Sequence, residues 1–159
     1  MRVITGKARG VVLKTPEGMQ TRPTTDRVKE ALFSIIQFDI PGCKVLDLFG
    51  GTGSITYEFL SRGANSVTCV EINAVHHRFI SQTIRELGAS NGYAVKANAF
   101  LYLRSCPKQF DLIFSDAPYD LEGSEKVIEA VFEKDLLREG GIFIFEHSKN
   151  QDCSSHPNF

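Results

Sequence analysis

A chain of 159 residues is one domain's worth and long enough to bury a core. Apolar residues at 42 % and charged residues at 23 % are ordinary for a soluble globular protein, and no run approaches the length of a membrane span. Eighteen basic and 19 acidic residues leave a net charge of −1. The first 30 residues, however, hold seven basic groups against three acidic ones, whereas the remainder holds 11 against 16. A basic N-terminal arm on an acidic body points to a phosphate-bearing partner for that face.

Cys43, Cys69, Cys106 and Cys153 show no Cys-x-x-Cys spacing, and Cys69 lies inside an apolar run. They read as reduced thiols, with neither a disulfide framework nor a metal site. His76, His77, His147 and His156 have no ligand spacing and read as surface residues. With no apolar leader at the N-terminus, the expectation is a soluble, cytoplasmic protein without a metal or a membrane partner, acting as a monomer.

In chain order, residues 2–5 and 11–14 are short β-prone runs flanking Gly6-Lys7-Ala8-Arg9-Gly10, a hairpin with a basic tip. Pro16 to Pro23 reads as a loop. From Thr24 or Thr25, both good N-caps, Val28, Ala31, Leu32, Ile35 and Ile36 recur at one helical face. That stripe predicts a helix burying those side chains, with Arg27 and Lys29 off the stripe and free to reach a ligand. Pro41-Gly42 closes this entry segment. Strand runs follow at 44–49, 66–72, 93–97, 110–115 and 141–146, alternating with helical stretches at about 53–62, 74–87, 99–105 and 124–137. Leu112-Ile113-Phe114 and Ile142-Phe143-Ile144-Phe145 are apolar at successive positions, as in a parallel sheet covered on both faces. The pattern predicts an open, doubly wound α/β sheet with right-handed crossovers.

Ligands of such sheets bind beyond the carboxyl ends of the strands. Strand one ends at Asp47 to Gly53, strand two at Glu71, strand three at Asn98 and strand four at Asp116-Ala117-Pro118-Tyr119. The glycine turn Gly50-Gly51-Thr52-Gly53 brings backbone N–H groups and a helix N-terminus to one point. A dinucleotide fold would place a third glycine at position 56, where this chain has threonine. S-adenosylmethionine-dependent methyltransferases carry a strand-end acid followed by Gly-x-Gly, which Asp47, Gly51 and Gly53 match. Glu71, 20 residues after the turn, can accept both ribose hydroxyls. The amide of Asn98 can offer a donor and an acceptor to an adenine edge, although an N-cap would look the same.

An acid followed by x-Pro-aromatic suits methylation of an exocyclic nucleobase amine. Such an amine is a poor nucleophile because its lone pair is delocalised into the ring. A carboxylate from Asp116 and the carbonyl of Ala117 could accept both N–H bonds and localise the lone pair, with the Tyr119 ring stacking on an extruded base.

Arg22-Pro23-Thr24-Thr25-Asp26-Arg27-Val28-Lys29-Glu30-Ala31-Leu32-Phe33, Val45-Leu46-Asp47-Leu48-Phe49-x-Gly-x-Gly and Asp116-x-Pro-Tyr119 together resemble the bacterial 16S rRNA guanine-N2 methyltransferases that act in helix 31 of small-subunit RNA. The resemblance implies a Rossmann-like class I methyltransferase domain over 41–159, preceded by an RNA-facing hairpin and helix over 1–40. It implies S-adenosylmethionine as donor, held by Asp47, Gly51, Gly53, Glu71 and Asn98 with Gly50, Thr52, Ile72 and Ala99 beside them. Asp116, Ala117, Pro118 and Tyr119 would form the acceptor site, and Arg2, Lys7, Arg9, Arg22 and Arg27 would meet 16S rRNA or the small subunit.

Two departures from the family pattern are expected to matter. Ala117 stands where the family usually has proline, which keeps the carbonyl but gives up a fixed φ, on the order of 1 kcal/mol of preorganisation. After strand five only the polar stretch Ser148 to Phe159 follows, so the antiparallel hairpin that closes such folds is expected to be missing. Other readings stay open: an amino-methyltransferase on another RNA or on DNA, a dinucleotide oxidoreductase, or a non-catalytic RNA- or cofactor-binding relative.

Overall fold

The computed structural model describes residues 1–15, 25–118 and 121–147. Arg22 and Tyr119 lie outside the described residues, as do His156, Cys153 and the 148–159 stretch on which the missing-hairpin expectation falls.

Five strands form one sheet: β1 (Lys44–Leu48), β2 (Ser66–Glu71), β3 (Gly92–Lys96), β4 (Phe110–Asp116) and β5 (Leu137–Glu146). All are parallel, in the order β3-β2-β1-β4-β5. The chain therefore winds outward from β1 in one direction and returns to β1's other side with β4, which opens a crevice at the β1/β4 boundary. Helices α1 (Asp26–Ile36), α2 (Ser54–Ser61) and α3 (Ala74–Glu86) pack on one face, and α4 (Ala99–Ser105) and α5 (Lys126–Glu133) on the other. Alternation along the strands sorts the side chains: Val45, Leu112 and Phe114 join the first layer, Leu46, Leu48 and Ile113 the second.

The N-terminal hairpin is present but spare, a single antiparallel bridge between Arg2 and Val12 supported by Val3–Val11 and Met1–Leu13 backbone hydrogen bonds. Helix α1 begins where expected, with the Thr25 side chain capping Val28 N–H. Its buried face keeps Ile36 and part of Leu32 from the predicted stripe but is rotated toward Lys29 and Phe33. Lys29, Phe33 and Ile36 are buried, whereas Val28 is 52 % exposed and Ile35 is 80 % exposed. The reason is a charge: Lys29 lies against the buried Glu58 carboxylate of α2, and Phe33 packs edge-on to Phe59 at 4.8 Å beneath the Arg62 guanidinium. An ion pair and two aromatic contacts outweigh the aliphatic stripe.

Two boundaries also differ. Helix α5 stops at Glu133 because Asp135 takes a left-handed φ of 51° and Leu136 turns into the core. Strand β5 starts four residues earlier than expected, pairing Leu137 with Phe110 before a bulge that resumes at Ile142 opposite Leu112. His76 is a buried residue of α3 and not a surface one, and half-buried His77 bonds through Nε2 to the Ala94 carbonyl of β3. Cys43 and Cys69 are buried free thiols. Among the described residues no helix is long and apolar enough to cross a membrane, and no group of three potential ligands could hold a metal.

The rotated face of α1 is directly testable by urea denaturation. Phe33→Ala should cost about 3–5 kcal/mol, and Ile35→Ala should stay within about 0.5 kcal/mol of wild type.

Candidate functional site

Each strand's carboxyl end delivers one part of the site to the same rim. From β1 the chain enters the turn through Phe49, a non-glycine residue held at φ 59°. A left-handed aromatic residue is strained and marks a turn that the surrounding structure dictates. Phe49 meets Phe100 of α4 edge-on at 6.1 Å, so the turn and the start of α4 share an aromatic contact that sequence reasoning missed.

Gly50 N–H donates to the Val70 carbonyl, pinning the turn to β2. At Gly51, with φ 59°, an added Cβ would meet nothing within 4 Å, so the backbone here is open to a ligand. Gly53 is different. A Cβ there would lie 2.4 Å from the Tyr57 hydroxyl, which donates to the Thr52 carbonyl at 2.6 Å. Gly53 and buried Thr52 are thus needed so that α2 can close onto its own entry loop.

Glu71 organises the rim. One carboxylate oxygen accepts Gly51 N–H at 2.9 Å and the other accepts Asn73 N–H at 2.6 Å. With two backbone bonds made, a carboxylate retains acceptor sites on both oxygens. Ile72, next in the chain and 59 % exposed, presents an apolar surface beside it. Asn98 caps α4, its side-chain oxygen accepting Phe100 N–H at 2.9 Å and Leu101 N–H at 3.2 Å. That spends the acceptor, so the two-way amide reading of Asn98 is corrected: only its NH2 remains to offer. Ala99, 5 % exposed, is the first helical residue behind it.

Asp47 lies under the rim and not on it. It is 1 % exposed and accepts the Thr56 hydroxyl at 2.6 Å. Threonine at position 56, read from sequence as the absence of a glycine, is therefore a positive feature that locks α2 to β1. Burial pushes the Asp47 carboxyl up to about 7, opposed by the Thr56 and Cys69 hydrogen bonds and reinforced by the negative charges of Asp116 and Glu71. Asp116 follows two residues after Phe114, the residue paired with Asp47, and so points to the same face of the sheet. It is half-buried, Ala117 after it is 5 % exposed, and Pro118 is exposed. Asp47, Glu71 and Asp116 thus converge on one turn.

Of the basic residues, Lys7, Arg9 and Arg27 are exposed, and Arg2 lies 3.9 Å from Asp26 at the surface. Lys29 is corrected: it is 1 % exposed and engaged by Glu58, so it reaches no external ligand.

The family model described as "Conserved hypothetical protein 95" matches residues 1–159, the whole chain. The chain belongs to that family. It is 33 % identical over 153 residues to Bacillus subtilis YlbH, covering 94 % of this chain and 83 % of that one. It is 30 % identical over 146 residues to ribosomal RNA small subunit methyltransferase D of Escherichia coli K12, covering 92 % and 74 %. The solved Escherichia coli yhhF chain superposes with a TM-score of 0.90 at 30 % identity, covering 99 % of this chain and 87 % of that one. The fold is the Rossmann-like class I methyltransferase sheet.

Because the native Asp47 carboxyl keeps its proton up to about 7 while an ordinary one loses it near 3.8, the native state binds more protons in between. Stability therefore falls as pH rises across that window, by up to about 1.4 kcal/mol per unit. Denaturant midpoints measured between those limits should show this slope, and Asp47→Asn should remove it.

Proposed function

We propose that this chain transfers a methyl group from S-adenosylmethionine to ribosomal RNA, at the exocyclic N2 amine of a guanine in helix 31 of the small subunit. The observation that carries the reading is the convergence of Asp47, Glu71 and Asp116 on an open glycine turn. The Glu71 and Asp116 carboxylates beside one turn, with the buried Asp47 carboxyl beneath, oppose a pyrophosphate and suit a ligand bearing a sulfonium and an ammonium. The family relatives named for rRNA methylation support the same class of substrate.

The residues present fit this donor. Gly51 leaves room for a close approach, Glu71 retains acceptor sites for a ribose diol, and Ile72 offers an apolar face for the adenine. The donor supplies an electrophilic methyl group on sulfur. The chain's part is positioning, which can account for much of the rate in a two-reactant transfer. Asp116 and the Ala117 carbonyl accept the two N–H bonds of the guanine amine and aim its lone pair at the methyl carbon. The methylated amine would be more acidic than the free one, and Asp116 would be the group placed to take its proton. Ala117, 5 % exposed, supplies that carbonyl without the fixed φ a proline would give. Lys7, Arg9 and Arg27 supply the cationic surface for the phosphate backbone.

Transfer of labelled methyl from S-adenosylmethionine should appear at one guanine N2 in small-subunit rRNA or in subunits lacking the modification. Asp116→Ala should lower the rate roughly 100- to 10,000-fold. Incorporation into a different base, or none in the presence of bound donor, would contradict the reading.

A further inference from the structure

The N-terminal arm is not a loose appendage, because buried polar groups on α2 hold its backbone. The two oxygens of Glu58 accept Ile4 N–H at 2.8 Å and Thr5 N–H at 3.0 Å. Ser61 Oγ donates to the Thr5 carbonyl at 2.6 Å and accepts Ala8 N–H at 2.9 Å, while the Ser61 carbonyl accepts Lys7 N–H at 2.9 Å. Gly6 sits so close that an added Cβ would fall 1.9 Å from the Ser61 carbonyl oxygen, and its φ is +96°. All five arm residues from Ile4 to Ala8 are therefore held against one helix.

Lys29 completes the arrangement from α1. Its Nζ lies 3.2 Å from Glu58 Oε1 and donates to the Arg2 carbonyl at 3.0 Å and to Ser54 Oγ at 3.0 Å. Ser54 is the first residue of α2, immediately after Gly53 of the glycine turn. One ammonium therefore touches the basic arm, the middle of α2 and the end of the turn. Lys29 is 1 % exposed and Glu58 0 %. Burial lowers the Lys29 ammonium, whereas donors from Ile4, Arg62 and Thr5 and the Lys29 charge hold the Glu58 carboxyl down against its own burial. A buried pair is a poor source of net stability compared with apolar replacements but a strong source of geometry.

We propose that Lys29 and Glu58 are positioning residues that hold the basic arm at a fixed place relative to the glycine turn, and so set how RNA is presented to the methyl donor. The inference rests on the functional reading above. Neither residue touches a reactant. Their effect passes through the backbone of residues 2–9, which carries Arg2, Lys7 and Arg9.

The test uses the full chain and two independent ways of unseating the arm. Removing one charge would strand the other, so Lys29→Met and Glu58→Leu are made together, which keeps the interior apolar. Gly6→Ala unseats the arm from the Ser61 side without touching the pair. Both proteins should bind S-adenosylhomocysteine within about twofold of wild type, while KM for rRNA rises roughly tenfold or more. In both, the Ile4 and Thr5 amides should lose hydrogen-exchange protection while those of β1 keep it.

A double variant that matches wild type in rRNA KM would overturn the proposal, as would a parallel loss of cofactor affinity and RNA KM. If the double variant does not fold, Gly6→Ala decides by the same criteria. A wild-type protein that binds S-adenosylhomocysteine but never methylates RNA would overturn the functional reading. In that case the exchange measurement still decides whether the pair seats the arm.

Discussion

The Glu71 carboxylate is the constraint from which the site follows. By accepting Gly51 N–H and Asn73 N–H it joins the glycine turn after β1 to the loop that enters α3, across the parallel β1–β2 pair. Charge-assisted bonds to backbone amides are among the stronger ones a protein makes, and both are at least partly shielded here. Removing that carboxylate would free the turn on the ligand side and the cap on the helix side together. The turn itself tolerates little change, since Gly50 is bonded to Val70 and Gly53 lies under the Tyr57 hydroxyl.

A second carboxylate, Glu58, repeats the device one layer away. Its oxygens meet the arm backbone, Arg62 and Lys29, so the outermost part of the chain is referenced to the same helix whose N-terminus forms the turn. The two acids differ in what they leave available. Glu58 is fully buried and saturated with donors, as a structural anchor should be. Glu71, 9 % exposed, makes two backbone bonds and lies beside the open space at Gly51. Asp47 is a third case, buried under the turn and bonded to Thr56, where it fixes helix placement instead of making a direct contact.

The sheet was legible in the sequence because parallel strands buried on both faces write continuous apolar runs, and the Ile142 to Phe145 run sits where β5 pairs with β4. That the glycine turn and the strand-end acids share one edge was legible too, because parallel strands deliver their carboxyl ends to the same side. The inward face of α1 was legible only in part, at Leu32 and Ile36. Aliphatic spacing pointed to Val28 and Ile35, and the decisive contact was a lysine whose partner lies 29 residues further along the chain. A local pattern carries no information about such a partner. The roles of Asn98 and Thr56 were obscured differently, because a side chain that caps a helix or braces an acid is spelled the same way as one that meets a ligand.

The acid-lined turn and the basic arm divide the chemistry between them, one suited to a cationic nucleoside and the other to a polyanion. Titration calorimetry with S-adenosylmethionine, S-adenosylhomocysteine and a nicotinamide dinucleotide tests the central claim about the rim most directly. Saturable binding of the first two, lost in Glu71→Ala, is expected, with no binding of the dinucleotide. Binding of the dinucleotide with no affinity for either sulfur nucleoside would contradict that claim.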